Sequence, residues 1–91
     1  MLNSALLLII EEERIVPVLQ ETSVSLDGAH TEAVLDFSAV QRINSDALRA
    51  LEDFVRAADE KAVKVVLRGV RIDVYKVLKH VKLTQRLRFL Q

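Results

Sequence analysis

Few of the side chains in this chain that could do chemistry stand where they could act together. The two histidines, His30 and His80, lie fifty positions apart in different segments, and there is no cysteine, so the clustered nitrogen and thiolate ligands of a metal site are missing. No metal site is expected. Gly28 and Gly69 are isolated, and neither sits in a Walker or dinucleotide pattern, which argues against a phosphate-cradling loop and nucleotide hydrolysis. Carboxylates are abundant, but most fall on segments that read as solvated faces, and a chain of 91 residues has little volume for a substrate pocket beside its core. The reading is a non-catalytic protein with no cofactor.

What remains is the stretch "DFSAVQRINSDAL", residues 36–48, where a strand-like run meets a helix-like run and a serine stands at the junction. A side-chain oxygen at such a place accepts a hydrogen bond from a free amide of the first helical turn, which contributes about 1 kcal/mol. Either Asn44 or Ser45 fits that role. A hydroxyl there can also carry a phosphate, because the free amides and the positive end of the helix dipole favour an anion, and the modification changes the local charge by nearly two units. Ser45 is the phosphorylation candidate. Asp36 reads as a strand-end residue capping a turn, with the alternative that it partners the switch, and Ser38 reads as a residue that bonds locally to the turn backbone.

The elements that must position these residues follow from periodicity. "ALLLII", Ala5 to Ile10, is a near-continuous apolar run that predicts a strand covered on both faces, broken by Glu11, Glu12 and Glu13. The segment from Val16, with Pro17 in a first helical turn and Leu19 and Val24 among polar residues, predicts a helix stopped at Gly28. An additional edge strand over Arg14 to Val18 stays open. "AVLDF", Ala33 to Phe37, is the second strand. After Ser45, the residues Ala47, Leu48, Leu51, Phe54, Val55 and Ala58 recur at three- and four-residue spacings, with charged residues opposite, and predict an amphipathic helix. "AVKVVLRG" alternates as a third strand up to Gly69. A last helix carries Val74, Val77, Leu78 and Val81, with Lys76, Lys79 and His80 outward, and "RLRFL" closes as a short strand or an ordered tail. Phe37 and Phe54 belong in the core, with Tyr75 half-buried. Alternation of strands and helices predicts an α/β fold, a mostly parallel mixed sheet with helices packed on it.

Composition bounds the rest. One small core and one domain over residues 1–91 are expected, and the longest apolar run is far too short to span a membrane, so a soluble cytoplasmic protein is the default. The net charge of zero hides an asymmetry: residues 1–60 hold twelve acids and four bases, whereas residues 61–91 hold nine bases and one acid. Nucleic acid is not the expected partner of the basic end, because its Lys and Arg are spread at helical spacing without interleaved aromatics to stack on bases. A solvated helix face accounts for them.

"VLDFSAVQRINSDALRAL" resembles the central signature of STAS domains, the module of anti-sigma factor antagonists and of the cytoplasmic tails of sulphate transporters, and "VKVVLRGVRIDVYKVLKHVKL" is similar to the family's second half. The likeness is strongest over residues 32–90. It implies that Ser45 occupies the position phosphorylated by a partner kinase and that Asp36 and Ser38 belong to the strand-end signature. It further implies a partner-binding surface of Asn44, Asp46, Arg49, Glu52 and Arg56, which docks a kinase-type anti-sigma factor or a signalling scaffold in bacterial transcription regulation. The signature Asp before the serine is Asn44 here, the residue after it is Asp46, the usual Gly is Ala47, and no "Gly-Glu-Leu-Asp" follows the first strand. "GVRIDVY" also resembles the STAS subunit of bacterial phospholipid-transport ABC systems, which implies the alternative of an accessory subunit docked on an ABC transporter ATPase.

Overall fold

In the computed structural model, which describes residues 5–26 and 30–90, β1 (Ala5–Ile9) leads through a 3-10 turn (Glu12–Arg14) into α1 (Ile15–Ser25). Then follow β2 (Glu32–Asp36), α2 (Ser45–Glu60), β3 (Lys64–Arg68), α3 (Ile72–His80), a second 3-10 turn (Leu83–Arg86) and β4 (Arg88–Leu90). The strands form one sheet in the order β1-β2-β3-β4, every neighbouring pair parallel. The expected mostly parallel sheet is thus parallel throughout its described strands. Arg14 to Val18 is helical rather than an edge strand, since Pro17 sits in the first turn of α1, where no intrahelical bond asks for its missing N–H. The predicted stop at Gly28 lies outside the described residues.

When strand order follows chain order, right-handed crossovers bring every connecting helix to the same face of the sheet. Burial agrees with that placement. Ala33, Leu35, Val65 and Leu67 join the residues of all three helices in one core, whose largest members include Phe37, Phe54, Leu51 and Leu78. α2 contributes Ala47, Ala50, Leu51, Phe54, Val55 and Ala58, the stripe anticipated from its periodicity. Each large side chain among them stabilises by about 1.5–3 kcal/mol, so packing outweighs any intrinsic helix preference. Tyr75 is half-buried, its ring meeting that of Phe89 edge-on with centroids 5.3 Å apart.

β1 corrects one expectation. It is an edge strand with a helix-covered face only on one side, so Leu6 and Leu8 pack against the core while Leu7 and Ile9 remain 51% and 69% exposed. A continuous apolar run there reflects an uncovered second face rather than two covered ones. Val24 of α1 likewise points to solvent instead of the core.

The turn after β3 is fixed by a close approach. Gly69 has φ +69°, and a Cβ on it would stand 2.9 Å from Cβ and 3.2 Å from Cα of Ser38. Gly69→Ala should therefore cost about 1–3 kcal/mol in chemical denaturation, and Ser38→Ala should not rescue it, because the clashing Ser38 atoms remain.

Candidate functional site

The carboxyl ends of β2 and β3 and the connection 37–44 frame the junction. That connection has no helix or strand of its own, so its amides must find other acceptors. Phe37 N–H donates to the carbonyl of Arg68 and Val40 N–H to that of Phe37, each at 2.9 Å. Asp36 serves the start of the loop: Oδ1 accepts from Ser38 N at 2.9 Å and from Ser38 Oγ at 2.7 Å, while Oδ2 meets Arg68 Nε at 3.1 Å. Glu12, from the 3-10 turn after β1, serves the far part, where Oε1 accepts from Gln41 N at 2.7 Å and from Arg42 N at 3.0 Å.

These bonds depress both carboxyl groups. The Ser38 hydroxyl and amide, assisted by Arg68, hold Asp36 below the usual aspartate value, and the Arg42 and Gln41 amides hold Glu12 below that of glutamate. Both stay ionised at neutral pH.

At the end of the loop, Asn44 is the cap. Its Oδ1 accepts from Ala47 N at 2.8 Å, and Leu48 N–H donates to its carbonyl at 2.9 Å. Of the two candidate caps the structure uses Asn44, which leaves Ser45 as the first helical residue, exposed and with its hydroxyl free of any described hydrogen bond. Asp46 follows in the same turn and is also exposed. Ser45, Arg49, Glu52 and Arg56 stand four, seven and eleven positions apart, so they share the solvent side of α2. Arg56 Nη1 pairs with Asp53 Oδ1 at 3.0 Å within that surface. A shallow groove between α1 and α2, lined by Val16, Gln20, Asp46, Arg49, Ala50 and Asp53, runs beside it.

The structure thus gathers Ser45, Asp46, Arg49, Glu52 and Arg56 on one helix, with Asn44 as its cap. Asp36 and Ser38 lie at the base of the same loop, and the described bonds of Asp36 go to Ser38 and Arg68 rather than to Ser45. Glu12 escapes a sequence reading, since its partners lie 29 and 30 positions away and its neighbours are also glutamates. Elsewhere, a groove of about 440 Å³ near the end of β4 is lined by Gly69, Val70, Ile72, Tyr75, Phe89 and Leu90, a wall without charged side chains. Among the described residues no group of three His, Asp or Glu side chains could hold a metal ion, and no helix is long and apolar enough to cross a membrane.

The candidate site is thus the amino terminus of one helix and its exposed stripe, carried on a small parallel α/β domain. The chain belongs to the STAS domain family, whose model matches residues 2–90. No curated protein matches it in sequence. Its fold is similar to that of a sulfate transporter family protein from Wolinella succinogenes, with TM-score 0.81, 16% identity, 93% of this chain and 75% of that one covered. It is similar to a Thermotoga maritima protein assigned as an anti-sigma factor antagonist, with TM-score 0.73, 16% identity and coverages of 100% and 75%. The STAS domain of a SulP transporter from Vibrio cholerae has TM-score 0.74, 15% identity and coverages of 99% and 76%.

Two measurements check the geometry. Asn44→Ala should lower stability by about 1 kcal/mol, whereas Ser45→Ala should change it by less than about 0.5 kcal/mol. The Asp36 contribution has a defined pH window. Its folded-state carboxyl titrates below the unfolded one, so its stabilisation is present above the ordinary aspartate value and is lost as pH falls through the folded value. Asp36→Asn should cost about 1–2 kcal/mol at neutral pH, and denaturant titrations of the two proteins should converge in acid.

Proposed function

We propose that this protein is a non-catalytic regulatory module that docks a kinase-type anti-sigma factor or a signalling scaffold through the amino end and exposed stripe of α2. Phosphorylation of Ser45 is its switch. One observation carries this reading: Asn44 caps the helix, so the Ser45 hydroxyl is exposed and uncommitted at the head of the stripe that includes Arg49, Glu52 and Arg56. A phosphate there leaves the cap bond untouched and finds helix amides and the positive dipole end, so the domain keeps its fold while its docking surface gains nearly two negative charges. Asp46 already makes the surface acidic next to the hydroxyl, which raises the repulsion felt by an acidic patch on a partner. Asp36 and Ser38 support the loop, and a cytoplasmic location follows from such partners.

A second reading, an accessory subunit docked on the ATPase of a phospholipid-transport ABC system, takes support from the resemblance of "GVRIDVY" to the STAS subunit of such systems. Affinity capture from native lysate with wild type, Ser45→Ala and Ser45→Asp, read by mass spectrometry, separates the two. An ATP-binding kinase partner retained by wild type and Ser45→Ala and lost by Ser45→Asp is the expected result. A transporter ATPase retained by all three replaces the switch with the accessory role.

A further inference from the structure

We infer that the outer edge of β1 is a pairing surface for a second copy of this chain, joined antiparallel about a two-fold axis at Leu7 so that two four-stranded sheets become one of eight strands. The first observation is the state of the edge. A strand at the end of a sheet offers unpaired backbone groups, and folded proteins usually blunt it with charge, proline, a bulge or short length. β4, at the opposite edge, is blunted: it has three residues and starts with Arg88. β1 is not, since Ala5–Ile9 is five apolar residues without a charge or a proline.

The direction of the backbone groups fixes which residues face outward. Ile10 N–H donates to the Asp36 carbonyl on β2 at 3.0 Å, so by alternation along the strand Leu6 and Leu8 also turn their amides toward β2. Ala5, Leu7 and Ile9 turn theirs to the open edge. With the axis at Leu7, Leu7 stands opposite the same residue of the second copy, and Ala5 opposite Ile9. Each of these pairs exchanges two hydrogen bonds, and every outward amide of the strand is satisfied.

Side chains match on both faces in the same register. On the helix-free face, Leu7 and Ile9 are 51% and 69% exposed, and they continue into Val34 and the buried Val66, whose Cα positions align with Leu7. On the helix-covered face, Leu6 and Leu8 are only half-buried, since β1 is the last strand of the sheet among the described residues. A second β1 covers both sets. No other register keeps the apolar faces together while pairing all three outward residues.

Self-pairing rather than a different partner follows from charge. Groups near a two-fold axis meet their own copies, so a charged edge would repel itself, whereas an uncharged one complements itself. The five residues of β1 carry no acid or base, so nothing on the strand itself repels its copy at the axis.

Light scattering on the size-fractionated 91-residue chain tests this across a concentration series. The expected result is a species of twice 10.3 kDa for wild type, and a dissociation constant weakened at least 100-fold by Leu7→Lys and by Ile9→Lys, with unchanged circular dichroism. Both side chains are exposed in the single chain, so lysine fits there without touching the core, and either variant serves should the other fail to fold. Leu90→Lys, on the opposite edge, should leave the pair intact. Because the chain has no cysteine, Leu7→Cys should also be joined to its copy by a short bifunctional maleimide, and Leu90→Cys should not. A 10.3 kDa species at every concentration, a pair that survives both lysine variants, or loss in Leu90→Lys alone overturns the inference. These readouts contain no docking partner, so their outcome is separate from that of the Ser45 switch.

Discussion

The presentation of the α2 amino terminus depends on how the loop of residues 37–44 satisfies its own backbone. A connection without regular structure loses free energy for every buried amide left unpaired, about 1–3 kcal/mol each. Here the acceptors for the loop come from Asp36 at its entrance and Glu12 from the segment after β1, while Asn44 at its exit accepts from the first-turn amide of Ala47 in α2. Both carboxylates are ionised acceptors, which bond amides more strongly than neutral ones do. Asp36 has a second duty, since its other oxygen holds Arg68 at the end of β3, and the next residue, Gly69, is the one whose missing Cβ lets the Ser38 turn approach. The loop is thus tied to β1, β2 and β3 at once, and the helix that follows starts from a fixed point.

The order of the strands shapes the rest of the surface. Since β1 to β4 lie side by side in chain order, the described residues up to 60, rich in acids, and those from 61 on, rich in bases, take opposite sides of the sheet. Two of the described ion pairs, Asp36 with Arg68 and Asp59 with Arg86, join an acid of one half to a base of the other. Neutral overall charge therefore coexists with an oriented field, which bears on how a charged partner approaches α2. The same strand order gathers the helices on one face and leaves the other to the side chains of the strands themselves.

What could be read from sequence was what repeats. The stripe of Ala47 to Ala58 recurs over about three turns and so identified α2, and the alternation at Val63 to Leu67 identified β3. The site residues on α2 were legible for the same reason, because helical spacing alone places Ser45, Arg49, Glu52 and Arg56 together. β1 misled, since a five-residue apolar run looks alike in a doubly covered strand and in an edge with one bare face; only the position in the sheet decides. The choice between Asn44 and Ser45 as cap was also undecidable, because both side chains reach a first-turn amide and the difference is one residue of loop length. Glu12 left no trace at all. Its role depends on where the β1 end falls against the 37–44 loop, a contact across the fold that no local pattern encodes.

The placement of the cap has a consequence for any charge change at Ser45. If the serine itself bonded the first-turn amide, a phosphate would replace a structural hydrogen bond, and modification would be coupled to fraying of α2. With Asn44 in that role, the helix keeps its cap and the hydroxyl is spare. Modification then acts on the surface alone: the core under α2, built on Leu51, Phe54 and Val55, is unaffected, while the potential over Arg49, Glu52 and Arg56 changes sign of balance. A switch of this kind works through recognition rather than through unfolding, which suits a small domain whose single core has no stability to spare.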